Sequence, residues 1–320
     1  MTTCDLITVG ESMLRLSAPA VELLIDAPHL DVHVAGAESN VAVAVAQMGY
    51  RSRWLSRLTD NPAGRRIVRE LSGHGVDCSG VVWTDEDRVG TYYLEFGVPP
   101  RPTRVIYDRA HSAASRMGPQ TFDLAQIAGA RVLHLTGITP ALSQSCYDLV
   151  KDLLDRVGWA GIRVVFDVNY RALLWSPEEC AARLSPLLKG VHVLICGQRD
   201  AETVFGLRGS AEEVARALRD RFGAAQVVVP LPEGGMVALD GDLVRTVEGY
   251  PVQVVDRIGA GDALAAGVIC GLLEGDFARG LRYGVAMSAL QLTAHGDLFR
   301  FSRADVLRLV EEGASTRLLR

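Results

Sequence analysis

The chain has 320 residues, 48% hydrophobic and 22% charged, with a net charge of −5. This is the make-up of a globular protein with a sizeable core in one or two domains, and it offers no global electrostatic case for binding nucleic acid or a membrane. No apolar run reaches the roughly 18 residues needed to span a bilayer, Met1 to Gly10 has no basic signal-type segment, and the six cysteines form no CxxC pair, so a cytoplasmic protein with reduced thiols is expected.

In chain order, Asp5 to Gly10 is an apolar run ending in Gly-Glu and reads as a buried strand. Asn40 to Gly49 reads as a helix, with a cap-like Ser39-Asn40 start and a glycine stop. Arg53 to Leu58 is a strand and Gly64 to Leu71 a helix. From Arg131 the rhythm is regular: strands at 132–135, 164–168, 191–195 and 226–229 alternate with helices at 144–157, 177–188 and 211–222. Such alternation predicts a parallel sheet covered on both faces, with ligands at the carboxyl ends of its strands. Two segments break the rhythm. Ser12 to Ala35 and Arg88 to Ser112 alternate polar and apolar residues without helical period. They predict inserted hairpin-type strands forming a small sheet over the strand ends, a lid.

The most chemical stretch is Val255 to Ala263, Val-Asp-Arg-Ile-Gly-Ala-Gly-Asp-Ala. Gly259, Ala260 and Gly261 let bare backbone N–H groups approach an anion at the start of the helix that follows, where the dipole favours negative charge. Asp262 in the same turn would take a proton from a hydroxyl while the amides hold a phosphate, the minimum apparatus for phosphoryl transfer to an alcohol. The bland reading is a glycine-rich turn capped by an aspartate.

Further candidates each have a structural alternative. Gly36 permits close backbone approach and Asn40 offers an amide to sugar hydroxyls, or simply caps the helix. Arg109 and Arg171, the latter just past the strand at 164–168, fit an anionic ligand, or pair with Asp108 and Asp167. Asp297 is a loop carboxylate. His134 reads as a core histidine, and no histidine spacing suggests a zinc site. The only lysines are Lys151 and Lys189, and no GxxxxGK[ST] is present, so nucleotide phosphates would be held by amides, arginines and metal.

Together these stretches resemble the ribokinase-like (PfkB) sugar kinases over essentially the whole chain. The two signatures fall in order, Gly36 to Gly49 early and Asp256 to Asp262 late. Within the family the likeness is greatest to 2-keto-3-deoxygluconate kinases, through Val105 to Arg109 with Ser112 to Ser115, Phe166 to Arg171 with Leu174-Trp175, and Gly296-Asp297. The resemblance implies a three-layer α/β/α core with a mostly parallel sheet, formed by residues 1–11, 36–87 and 113–320, and a β-sheet lid formed by 12–35 and 88–112. It implies ATP and Mg2+ as cofactors and a sugar acid, most simply 2-keto-3-deoxygluconate, as acceptor. Asp262 would be the base and Gly259 to Gly261 the anion hole. Gly36, Asn40, Tyr92 and Tyr107 would line the sugar site, Arg109 and Arg171 would meet the carboxylate and keto end, and Asp297 would hold hydroxyls. It also implies a homodimer or higher homo-oligomer through the lid. Two arginines left without an anionic partner in a dry site would cost several kcal/mol, which favours an acid over a neutral sugar.

Two stretches depart from the family pattern. Gly197-Gln198-Arg199-Asp200 stands where Asn-x-x-Glu is usual, leaving Asp200 as a carboxylate acting on magnesium through water. Pro230 and Pro232 delete two N–H donors from the nucleotide-side loop, where Gly235 remains as a cofactor-side residue; weaker ATP binding or a changed nucleotide preference is expected. Other readings are a kinase for 2-keto-3-deoxygalactonate, fructose, ribose or a nucleoside, and a non-catalytic sugar-acid binding protein. A dinucleotide enzyme lacks its GxGxxG after the first strand.

Overall fold

The computed structural model describes residues 4–314, apart from the side chains at 124 and 158–160. Residues 1–3 and 315–320 of the expected core segments lie outside the described residues. In chain order the strands are β1 (Cys4–Val9), β2 (Met13–Ser17), β3 (Asp31–Ala35), β4 (Ser52–Leu55), β5 (Arg57–Thr59), β6 (Val82–Thr84), β7 (Thr91–Glu95), β8 (Arg104–Asp108), β9 (Ala130–Thr136), β10 (Arg163–Asp167), β11 (Val193–Ile195), β12 (Gln226–Pro230), β13 (Gly235–Asp240) and β14 (Leu243–Glu248). The helices are α1 (Ala37–Gln47), α2 (Pro62–Gly73), α3 (Leu124–Ile127), α4 (Ile138–Ala141), α5 (Gln144–Ala160), α6 (Pro177–Leu187), α7 (Gln198–Phe205), α8 (Ala211–Phe222), α9 (Ala260–Glu274), α10 (Phe277–Gln291) and α11 (Arg303–Glu312).

Eight strands form the main sheet in the order β14-β13-β12-β11-β10-β9-β1-β4. All pairs from β12 to β4 are parallel, and the β13–β14 hairpin continues the sheet antiparallel. Successive residues feed opposite layers. Ile7, Leu133, Phe166, Leu194 and Val227 pack against α5, α6 and α8. Their neighbours Leu6, Val132, Val165, Val193 and Val228 pack against α1, α9 and α10. A strand buried on both faces is apolar throughout, which is why these segments read as continuous runs. No helix among the described residues is long and apolar enough to cross a membrane.

The two irregular segments form a separate four-stranded sheet, β3-β2-β7-β8, made of two antiparallel hairpins joined by the parallel β2–β7 pair. Two local expectations are corrected. The first long helix starts at Ala37, capped by the backbone of Gly36, so Ser39 and Asn40 lie inside its first turn rather than capping it. The expected strand at 53–58 is two strands. β4 joins the main sheet, and β5 turns away to pair with β6.

Helix α9 is buried along Ala263 to Leu273. It approaches α10 closely enough that a Cβ on Gly267 would stand 2.2 Å from the Gly284 nitrogen, and one on Gly271 2.2 Å from Gly280 Cα. Gly267→Ala therefore forces the helices apart and should cost about 1–3 kcal/mol, read as a lower midpoint in denaturant unfolding; an unchanged midpoint would contradict this packing.

Candidate active site

A cavity of about 450 Å³ opens where the lid meets the carboxyl ends of β1, β9 and β10 and the start of α9. It brings together Gly36, Asn40, Tyr92, Tyr107, Arg109, Arg171, Asp200, Gly259, Gly261, Asp262 and Asp297, although they are spread from residue 36 to residue 297. Ala260 and Gly235 are not among its lining residues. Gly235 opens β13, where a Cβ would stand 2.5 Å from the Val247 carbonyl oxygen, so its bareness serves the hairpin. In the loop before it, the Gly234 N–H donates to the Leu231 carbonyl and the Leu231 N–H to that of Gly235, both at 3.1 Å. Two more amides are thus committed locally, beside the two that Pro230 and Pro232 lack.

Gly259 caps α9 in the left-handed region, φ 83°. A side chain there would meet the Asp297 carbonyl oxygen at 2.4 Å, so glycine is required on both counts. The helix begins at Ala260, which leaves its first amides without intrahelical partners and gathers positive potential at the turn. Asp262 lies in this first turn, half-buried, with Oδ2 accepting a 2.7 Å bond from Asn40 Nδ2. Asn40 is itself held by the Gly36 N–H, which donates to its Oδ1 at 3.3 Å. Burial pushes the Asp262 carboxyl above its ordinary range, against the opposing pull of Asn40, Arg171 and Asn169.

Asp262 has company that the sequence did not reveal. Asp167, at the end of β10, is pushed up to about 8 by burial and by the charges of Asp262 and Asp200. Asp200, in the first turn of α7, is also raised by burial and accepts the Tyr170 N–H at 3.2 Å. Arg171 opposes the shift at all three carboxyls and makes a hydrogen bond to the Tyr170 carbonyl. Its field therefore serves this end of the cavity, and the expected bond to Asp167 is not formed. Asn169, at φ 41°, donates to Asp167 from both its backbone and its side chain. Glu38, 1% exposed, accepts from Thr136 and Thr139 at 2.8 and 2.7 Å through Oε1, while Oε2 has no partner among the described residues. Burial raises its carboxyl as well.

At the lid, Arg15 of β2 is wholly buried and donates to Asp256 Oδ2 at 2.7 Å, Asp297 Oδ2 at 2.8 Å and Ser17 Oγ at 2.7 Å. The Tyr92 hydroxyl donates to Asp297 Oδ1 at 2.8 Å. The Ile258 and Gly296 N–H groups donate to Asp256 at 3.0 and 3.2 Å. Asp297 and Tyr92 thus meet each other in addition to facing the cavity.

Contrary to the expectation of two arginines without an anionic partner, Arg109 is already paired within the chain. Arg109, 7% exposed, gives its Nε to Glu11 Oε2 at 2.8 Å and a second bond from Nη2 to the same oxygen. Neither it nor Asp108 forms the surface pair with the other, since Asp108 pairs with Arg88. In all, Glu11, Glu38, Asp167, Asp200, Asp262 and Asp297 line the cavity against Arg109, Arg171 and Arg257. The excess of carboxylates, not a bare pair of cations, is the electrostatic character of the site.

The pattern of the pfkB family carbohydrate kinases matches residues 4–302. The chain belongs to this family. It is 40% identical to a 2-dehydro-3-deoxygalactonokinase of Haloferax volcanii over 97% of this chain and 98% of that one. It is 36% identical to a 2-dehydro-3-deoxygluconokinase of Thermoproteus tenax over 92% and 90%. Among solved structures, a 2-dehydro-3-deoxygluconokinase of Thermotoga maritima superposes with a TM-score of 0.91 at 33% identity, covering 96% of this chain and 99% of that one. The fold is thus ribokinase-like, and the protein is an ATP-dependent carbohydrate kinase of the sugar-acid group.

The Arg15 network yields a prediction with a pH signature. Burial pushes the Asp297 carboxyl up to about 6, despite Arg15 and Tyr92. An unfolded aspartate titrates near about 4, so the stability linked to this proton is complete below that pH and is lost as pH rises through the folded value. Arg15→Met removes the cation and strands two buried carboxylates. It should cost about 3–5 kcal/mol near pH 8 and distinctly less near pH 5, where the proton replaces the cation. Denaturant melts at the two pH values measure it; a pH-independent loss would contradict the account.

Proposed function

We propose that the protein transfers the γ-phosphoryl group of ATP to the terminal hydroxyl of a 2-keto-3-deoxy sugar acid, 2-keto-3-deoxygluconate or its galactonate epimer. The observation that carries the reading is Asp262 held by Asn40 in the first turn of α9, next to unpaired helix amides. In this mechanism Asp262 accepts the proton of the hydroxyl as it attacks, and the amides at Gly259, Ala260 and Gly261 receive the charge developing on the phosphoryl oxygens. Its raised carboxyl is a better proton acceptor than an ordinary aspartate. Tyr92, Tyr107, Gly36 and Asp297 would border the sugar, with Arg109 at the acid end. Gly235 would stand on the nucleotide side.

Mg2+ fits the donor set in a limited way. No group of three metal-ligating side chains converges among the described residues. Magnesium commonly keeps several waters and uses one or two carboxylates with substrate phosphates. Asp200 would act through water, with Asp167 beside it, and both raised carboxyls would be relieved by a cation. When bound, the ion would neutralise phosphate charge.

The test is ADP release from Mg-ATP with 2-keto-3-deoxygluconate, 2-keto-3-deoxygalactonate, fructose and ribose. The keto-deoxy acids should give the highest kcat/KM; a higher value with fructose or ribose would sink the substrate assignment. Asp262→Asn should retain sugar binding and lose turnover by about 10² or more. Because the working form of Asp262 is ionised and its carboxyl is raised, wild-type activity should fall as pH drops, with a midpoint above the ordinary aspartate value of about 4.

The lid also supports a dimer reading. It exposes Ile106 (53%) on β8 and, in the segment between β2 and β3, Ile25 (88%) and Val21 (65%), and exposed apolar surface of this kind marks association sites. We expect two copies to associate through it, and Ile106→Glu to shift sedimentation from dimer to monomer; a wild type that sediments as a monomer would contradict this.

A further inference from the structure

Glu11 and Arg109 stand near two of the four places where the chain passes between core and lid, the entry to the first lid segment and the exit from the second. Glu11 follows β1 by two residues, and Arg109 follows β8 directly. Both face the cavity. The side chain of Glu11 is 1% exposed and that of Arg109 7%. One carboxylate oxygen, Oε2, takes both the Nε and Nη2 bonds of Arg109, and the other, Oε1, is buried with no partner among the described residues. Among the described residues Glu11 has no other side-chain hydrogen bond.

That arrangement is costly as mere structure. A buried ion pair seldom stabilises a fold more than apolar residues of the same size, and an unsatisfied carboxylate oxygen adds to the penalty. What the pair does achieve is orientation. The Nε–Nη2 edge of the guanidinium is fixed against Glu11, the Tyr107 ring lies 5.4 Å from its central carbon, and Nη1 is the nitrogen not engaged by Glu11. A guanidinium so held is a directed donor whose net charge is already compensated.

From this we infer that Glu11 is the positioning residue of Arg109 and, through it, sets the affinity of the cavity for the acid end of the substrate. Substrate recognition there depends on aim more than on bare charge, which agrees with the excess of carboxylates around the cavity. The inference rests on the sugar-acid reading above.

The experiment is steady-state kinetics on Glu11→Gln, Arg109→Ala, the double variant and Glu11→Asp, with KM for the keto-deoxy acid and kcat read separately and melting temperatures alongside. Glu11→Gln should raise KM for the acid about tenfold with kcat little changed, the mark of lost ground-state binding. The double variant should be no worse than Arg109→Ala alone, since residues acting as one unit are not additive. Glu11→Asp, which keeps the charge but shortens the reach, should fall between wild type and Gln. A merely structural role would lower melting temperature and active fraction but leave KM in place. An unchanged or lowered KM in Glu11→Gln, or multiplying effects in the double variant, would overturn the inference. If the Gln variant does not fold, an unchanged KM in Glu11→Asp overturns it equally. Failure of the sugar-acid reading would show differently, as a wild type that turns over no keto-deoxy acid.

Discussion

Arg15 reaches from the middle of a lid strand into the core and ends between Asp256 and Asp297, with none of the three side chains in appreciable contact with water. Much of the site depends on this one cation. Asp256 opens the signature turn and also receives the amides of Ile258 and Gly296, so the loop before Gly259 is tied at both ends. Asp297 carries the backbone that Gly259 must pass closely, and its other oxygen holds Tyr92. The lid, the turn into α9 and a wall of the cavity are therefore set by a single buried charge cluster. Taking it apart costs more than an apolar contact would, because each carboxylate left behind is uncompensated.

The remaining carboxylates follow a different logic. Glu38, Asp167, Asp200 and Asp262 are all raised, chiefly by burial. Helix starts and strand ends concentrate these groups, and Arg171 opposes the shift at only three of the four. A site so built is poised to accept protons and positive counter-ions. Phosphoryl transfer to an alcohol uses both, the proton leaving the hydroxyl and the cations that accompany ATP. On the proposed reading, this field is tolerable for an anionic sugar because the acid end meets a donor already held in place, Arg109 against Glu11.

Much of the architecture was legible because parallel strands buried on both faces read as unbroken apolar runs, while the lid strands, exposed on one side, alternate. The signature turn was legible because glycine at 259 has few rivals for a left-handed, closely approached backbone. Other features left no such trace. The start of α1 was misplaced because Gly36 caps it through backbone alone, and Glu38, Ser39 and Asn40 are polar residues buried within a helix. Glu11 and Arg109 are 98 positions apart, and Arg15 and Asp297 are 282 apart. A carboxylate whose partner arrives only through the fold looks in sequence like any surface acid, so the pairing of Arg109 and the crowding around Asp262 emerged only in three dimensions.

The most direct measurement is a crystal structure with a non-hydrolysable ATP analogue and 2-keto-3-deoxygluconate. The account predicts the sugar carboxylate against Arg109, and the terminal hydroxyl about 3 Å from Asp262, with the γ-phosphate at the Gly259–Gly261 amides. A sugar bound in the reverse direction, or a terminal hydroxyl out of reach of Asp262, would contradict it.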